Sequence, residues 1–267
     1  MPAPKKRLGQ HFLSDPRILA RIADALEAGP ADTLIEIGPG RGSLTAVLAS
    51  RVRRLIAIEK DRELAPALRE RFPGIDVVEG DALALDWAAL AAAPAGEWLV
   101  AGNIPYNITS LLIDQALAPP RPRRIVFLVQ REVADRVAAP PGGADYGALS
   151  VGVQAVAKVE RLFTVAAGSF SPPPKVDSAL LRLTPLARPL VTDAALRSFR
   201  RLVVGLFGFR RKQMLRGLRE LTGWPAERAR RVLGAAAIGE RRRPQELSPV
   251  EFVRLHGELV DEGWSPG

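Results

Sequence analysis

Thr33-Leu34-Ile35-Glu36-Ile37-Gly38-Pro39-Gly40-Arg41-Gly42 is the stretch that sets the fold: a short, mostly apolar run enters a glycine turn, and Ser43–Arg51 beyond it has helical character. That order predicts a buried parallel strand whose end opens a helix. Glycines in such a turn let the backbone approach a ligand closely. A dinucleotide fingerprint would read G-x-G-x-x-G, but here the third glycine comes one position early and Ser43 holds its place, which argues against a nicotinamide dinucleotide. Moving outward, Leu55–Ile58 reads as the second strand and ends at Glu59, 21 residues after Gly38, where a carboxylate can accept hydrogen bonds from ribose hydroxyls. Lys60 stands beside it. Ile75–Val78 reads as the third strand, and Asp81-Ala82 after it could receive an adenine amine. All these positions fall at the carboxyl ends of parallel strands, the crevice where open α/β sheets bind ligands.

Trp98–Ala101 and Ile125–Val129 read as two further buried strands, with helical patterns between. Ser14-Asp15-Pro16 is a capped helix start leading into Ile18, Leu19, Ile22 and Leu26, with Gly29-Pro30 as its stop. Beyond about residue 184 only helical periodicity remains, over Leu196–Leu206, Lys212–Leu221, Ala226–Leu233 and Pro249–Val260. Strands alternating with helices, followed by helices alone, predict an α/β parallel-sheet domain over residues 1–184 and a smaller all-helical domain over 185–267. Thr184-Pro185 through Pro189 reads as the linker between them.

The 267 residues are 47% hydrophobic, enough for a buried core. With no cysteine, disulfides, thiolate zinc sites and cysteine nucleophiles are excluded, and two histidines are too few for a histidine-based metal site. No metal is expected. The basic start of the chain is followed by no apolar segment of signal type and no run approaches a membrane span, so a soluble cytoplasmic protein, monomeric by default, is expected. The net charge is +9 and is uneven: residues 188–267 hold 16 basic and 9 acidic side chains. A basic tail suits a polyanion partner, because arginine forks match phosphate oxygens.

Directly after the fourth strand comes Gly102-Asn103-Ile104-Pro105-Tyr106-Asn107, which would face the same crevice. Its chemistry suits an exocyclic amine. An adenine N6 is a poor nucleophile because its lone pair is delocalised into the ring, so a site must orient that lone pair. The Asn103 side-chain oxygen and a backbone carbonyl in the Pro105 region could accept its two hydrogens, and Tyr106 could stack on the base. Positioning against an activated methyl donor then supplies most of the rate gain, with no metal or covalent intermediate.

Asn103-Ile-Pro-Tyr106 resembles the Asn-Leu-Pro-Tyr motif of amino-methyltransferases, with Ile104 as a conservative departure. Together with Leu8-Gly9-Gln10-His11-Phe12-Leu13 it resembles the rRNA adenine-N6,N6-dimethyltransferase family, most closely its small-subunit members. Tyr146–Ser150, Phe170–Ser178, Phe209-Arg210-Arg211-Lys212 and Arg243-Pro244-Gln245-Glu246-Leu247 are similar to further family signatures in the expected order. The resemblance implies a Rossmann-like class I S-adenosylmethionine methyltransferase sheet, with S-adenosylhomocysteine as product. It implies that His11 and Leu13 help enclose the cofactor, Gly38 and Gly40 contact its methionine part, and Glu59 with Lys60 its ribose. Asp81 with Ala82 would meet its adenine. Asn103 borders cofactor and target, and Phe170 stacks on the flipped base opposite Tyr106. His11 stands where the family commonly has Asn. Arg210, Arg211, Lys212 and Arg243 are expected to contact RNA. The implied substrate is a pair of adjacent adenines in a hairpin near the 3′ end of small-subunit rRNA, within an assembling small ribosomal particle. Three rivals share parts of this pattern: a large-subunit methyltransferase of the macrolide-resistance type, a non-catalytic transcription factor on the same fold, and a DNA adenine methyltransferase. The last would normally carry an acidic residue in place of Asn103.

Overall fold

The apolar runs that predict buried strands form the centre of a seven-stranded sheet in the computed structural model, which describes residues 4–5, 8–92 and 97–265. The strands are β1 (Phe12–Leu13), β2 (Thr33–Ile37), β3 (Arg54–Glu59), β4 (Asp76–Glu79), β5 (Trp98–Asn103), β6 (Arg124–Gln130), β7 (Ala157–Val165), β8 (Phe170–Ser171) and β9 (Ser178–Pro185). The large sheet has the order β4-β3-β2-β5-β6-β9-β7, and β1 pairs with β8 in a separate two-stranded ribbon. From β4 to β6 every pairing is parallel, and β9 runs antiparallel to β6. The chain winds outward from β2 to β4, then returns to place β5 on the other side of β2. This reversal between β2 and β5 opens a crevice at their carboxyl ends, where the glycine turn and Asn103 both emerge.

The helices of the sheet region are α1 (Pro16–Leu26), α2 (Ser43–Leu48), α3 (Leu64–Arg71), α4 (Trp87–Ala91) and α5 (Thr109–Ala116), and the first half of α6 (Arg131–Ala138) follows β6. Asp15 caps α1 as expected, its carboxylate accepting the Arg17 and Ile18 N–H groups, with Pro16 in the first turn. The buried face of α1, including Leu19, Ile22 and Leu26, joins Leu34, Leu99, Leu128 and Leu180 in one core. β5 passes between two strands at Gly102, where a Cβ would lie 2.6 Å from the Ile37 carbonyl oxygen and 2.9 Å from the Ile104 side chain. Only glycine fits there without moving backbone.

Glu36 is buried within β2, and its carboxylate accepts the Thr45 hydroxyl of α2 at 2.7 Å. Burial outweighs that bond and pushes its pKa up to about 7.

The chain forms two compact units. The first comprises residues 1–134 and 159–185, and the second residues 135–158 and 186–267. The linear boundary at 184 would assign 135–158 to the sheet, but this stretch, with the second half of α6 and all of α7 (Ala148–Gln154), groups with the helices α8 (Leu196–Gly208), α9 (Met214–Thr222), α10 (Ala226–Ala235) and α11 (Pro249–Asp261). The physical reason is Tyr146, a fully buried side chain whose hydroxyl donates to the Leu247 carbonyl at 2.9 Å and whose ring meets Phe207 edge-on. The expected linker is docked rather than loose, since the Leu186 and Leu190 N–H groups donate to the carbonyls of Val156 and Ala155. Phe207 stacks on Phe252, and Ser248 caps α11 in a reciprocal box with Glu251. No helix among the described residues is long and apolar enough to cross a membrane.

Two stability measurements follow from these packings. Gly102→Ala forces a methyl group against the Ile37 carbonyl and should lower unfolding free energy by about 2–3 kcal/mol in urea titration. Because the folded state holds the Glu36 proton more tightly than the unfolded chain, the Glu36 contribution to stability falls as pH rises from about 4.5 to 7. Glu36→Gln, which keeps a partner for Thr45, should therefore gain stability relative to the wild type as pH is raised from about 5 to 8.

Candidate active site

The crevice is built on a buried carboxylate. Glu59, at the end of β3, accepts the Gly40 N–H on Oε2 at 3.0 Å and the Asp61 N–H on Oε1 at 2.7 Å. Burial raises its pKa, and those two N–H groups oppose the shift. Gly40 reaches the carboxylate with φ +59°, a conformation L side chains rarely adopt, and a Cβ there would lie 2.8 Å from the Phe12 ring. The resulting cavity is lined by the glycine turn, by Glu36, Glu59 and Lys60, by Asp81 and Ala82, by Asn103–Ile108 and by Leu8–Leu13.

At the edge of the cavity Lys60 Nζ lies 2.6 Å from Asp81 Oδ2, while Asp81 Oδ1 accepts the Leu83 N–H at 3.1 Å. The Lys60 ammonium holds the Asp81 carboxyl below its ordinary pKa, so the group stays ionised at neutral pH.

The Asn103 amide is oriented by the N-terminal segment. Its Nδ2 donates to the His11 carbonyl at 2.8 Å, so the amide cannot be turned over without setting oxygen against oxygen. Oδ1 has no partner among the described residues. The Pro105 carbonyl is already taken by the Ile108 N–H and the Thr109 hydroxyl, both at 3.2 Å, whereas no hydrogen bond among the described residues goes to the neighbouring Ile104 carbonyl. Tyr106 bonds the Ser178 hydroxyl at 2.9 Å, and its pKa is raised by burial. The His11 ring lies on Tyr106 with centroids 5.9 Å apart and planes 23° from parallel. His11 Nδ1 is 2.8 Å from the Pro172 carbonyl, which can only accept, so Nδ1 carries the proton.

His11, Leu13, Gly38, Gly40, Glu59, Lys60, Asp81, Ala82, Asn103, Pro105 and Tyr106 are thus brought to one cavity. Phe170 is not. Paired with Leu13 across the β1–β8 ribbon, it is 5% exposed and packs in the core with Leu19 and Leu180, where its apolar ring gains more from burial than from the crevice. The aromatic group facing Tyr106 is His11 instead. Sequence reading also missed Glu36, Gln10, Arg41 and Ser178. Gln10 lies inside a quoted motif and Glu36 heads the glycine turn, but periodicity marks neither as lining the cavity, nor Ser178 as the partner of Tyr106. Among the described residues no cluster of three or more His, Asp or Glu could hold a metal ion.

In the helical unit, Arg210, Arg211 and Arg243 are exposed. Their two segments are joined by backbone hydrogen bonds, Met214 N–H to the Arg242 carbonyl at 2.7 Å and Leu215 N–H to the Glu240 carbonyl at 3.2 Å. Lys212 lies over the Phe209 ring and is ion-paired to Glu220 at 2.9 Å.

Residues 2–254 match the family described as Ribosomal RNA adenine dimethylase. Curated relatives named Ribosomal RNA small subunit methyltransferase A include that of Geobacter metallireducens, 44% identical over 97% of this chain and 96% of its own length. That of Pseudomonas aeruginosa is 41% identical over 96% and 95%. Among solved structures, a dimethyladenosine transferase from Plasmodium falciparum is similar with TM-score 0.84 and 26% identity, covering 96% of this chain and 99% of that one. The 23S rRNA methyltransferase ErmE is similar with TM-score 0.70 and 32% identity, covering 93% and 99%. With the family matched over residues 2–254, and with Leu8–Leu13, the glycine turn and Asn103–Tyr106 lining one crevice, the chain belongs to the ribosomal RNA adenine dimethylase family.

Proposed function

We propose that the chain transfers methyl groups from S-adenosylmethionine to N6 of two adjacent adenines in a hairpin near the 3′ end of small-subunit rRNA, during assembly of that subunit in the cytoplasm. The observation that carries this reading is the fixed Asn103 amide, which presents Oδ1 in the same crevice as the paired carboxylates. The donor set fits an adenosine bearing a cationic tail: Glu59 would offer its carboxylate to the ribose hydroxyls, Asp81 stands one strand further out, and Gly38 puts no side chain between backbone and ligand. When bound, S-adenosylmethionine supplies a methyl group already activated on a sulfonium. Asp81 receives the cofactor's adenine amine, sharing its carboxylate with Lys60. Asn103 Oδ1 and the Ile104 carbonyl accept the two N6 hydrogens of the target and turn its lone pair toward the methyl. Tyr106, steadied by Ser178, gives the base a face to stack on. Phe170 supports β1 from beneath, in place of the stacking role the motif implies.

Arg210, Arg211 and Arg243 are proposed to meet RNA phosphates, and a monomer suffices for all of this. The small-subunit substrate is favoured over large-subunit RNA by the full-length relatives, which are 41–44% identical, against 32% for ErmE.

The deciding experiment is transfer of labelled methyl to small ribosomal subunits from a strain lacking the modification, with the nucleoside identified by mass spectrometry. Dimethyladenosine is expected, and transfer to large-subunit RNA alone would overturn the substrate assignment. Asn103→Ala should lower kcat about a hundredfold or more through lost positioning. Asp81→Ala should instead weaken cofactor binding, by about tenfold or more in calorimetry, the cost of one charged hydrogen bond. Reversing charge with Arg210→Glu and Arg211→Glu should weaken RNA binding and flatten its log-log salt dependence by about two units, whereas Lys212→Ala, already neutralised by Glu220, should change that slope by less than about one.

A further inference from the structure

The carboxylate of Asp61 lies just outside the crevice and does more than its place at the start of α3 requires. Its side chain is 2% exposed, so an ionised carboxylate there needs partners. Oδ1 accepts the Glu63 N–H at 3.0 Å, which serves the helix start, and also the Lys5 ammonium at 2.6 Å. Oδ2 faces away from that task and accepts the Gln10 side-chain amide at 2.8 Å. Gln10 Oε1 in turn accepts the Lys5 backbone N–H at 2.7 Å, closing a ring of three residues. Burial raises the carboxyl pKa, and the Lys5 ammonium, the Gln10 amide and the Glu63 N–H together outweigh it and hold the group below its ordinary value. Most of what satisfies this buried charge therefore comes from the N-terminal segment.

From this geometry we infer that Asp61 is a positioning residue that latches Lys5 and the segment Leu8–Leu13 and, through that segment, fixes the Asn103 amide. Gln10 immediately precedes His11, whose carbonyl holds Asn103 Nδ2. The Asp61 N–H is bonded to Glu59 Oε1, so one residue joins the ribose-side carboxylate to the strap that sets the target-side acceptor. The latch rests on the proposed role of Asn103 for its effect on catalysis, though not for its existence. With the Gln10 bond broken, the Oδ2 oxygen loses its partner, the His11 carbonyl is no longer held from its own chain side, and Asn103 samples orientations that do not present Oδ1.

The test compares wild type, Gln10→Ala, Asp61→Asn and the combined Gln10→Glu with Asp61→Asn. The combination again sets one amide against one carboxylate, with the polarity of the bond exchanged, and Asp61→Asn retains an oxygen for the Glu63 N–H. Two quantities are read: amide hydrogen exchange over residues 8–13, and the separate kcat and KM of methyl transfer. Each single variant should exchange faster in that segment and lose kcat by about tenfold, with KM for the cofactor moving less than about threefold, and the combined variant should recover both. Unchanged exchange in both single variants overturns the latch. Faster exchange with unchanged kcat overturns its link to Asn103, and a combined variant as impaired as the single ones overturns the assigned bond. Exchange needs no substrate, so a wild-type protein that transferred no methyl would count against the proposed reaction while exchange still decided the latch.

Discussion

The structure turns on one constraint: a carboxylate held out of water at the end of β3 must be met by backbone N–H groups, and one of them belongs to a residue 19 positions earlier. Gly40 can supply its N–H because it takes a left-handed conformation and has no Cβ, the space a Cβ would need being filled by the Phe12 ring. Three distant pieces of chain, the glycine turn, the strand end and the N-terminal segment, are thereby fixed against one another. Asn103 inherits its orientation from the same meeting, because the residue before Phe12 offers the carbonyl that its amide grips.

How much of this was legible beforehand depends on whether a feature is local. Four of the parallel strands were readable because each is a short apolar run closed by a turn, and β2 covers the residues expected for it, whereas β4, expected to be buried, is the Asp76–Glu79 edge strand with no buried residue. The cap at Asp15 was readable for the same reason, since a cap is written in four or five consecutive residues. Gly38, Gly40, Glu59 and Asp81 were legible through glycine spacing and acids at strand ends, and Asn103, Pro105 and Tyr106 through their motif. Phe170 was not, because its environment is decided by the antiparallel pairing of two-residue strands more than 150 positions apart, a contact no periodicity encodes. The Gln10–Asp61 bond and the Glu36–Thr45 bond are invisible for a related reason: a polar side chain in a motif does not say which partner it meets.

The charges of the first unit are arranged by depth. Glu36, Glu59 and Asp61 are buried acids, each with hydrogen-bond donors brought to it, and Asp81 near the surface is covered by Lys60. An acidic crevice suits a cationic methyl donor and a neutral base, and it disfavours phosphate, which must then be met elsewhere. In the proposed function the exposed arginines of the helical unit meet that phosphate.

The helical unit is assembled from two stretches separated by 27 residues of the other unit. On a ribosome, where the chain emerges from its amino end, the sheet unit has its last strand once Pro185 is out. The Tyr146 side chain, by contrast, is made long before the Leu247 carbonyl that will receive its hydroxyl, 101 residues later. Until then the surface that Tyr146 and its neighbours will bury has no partner, so the second unit matures only when synthesis is almost finished. A cell reading this sequence therefore completes the crevice first, and an early stop in translation would leave an intact sheet carrying an exposed, unclosed pair of helical segments.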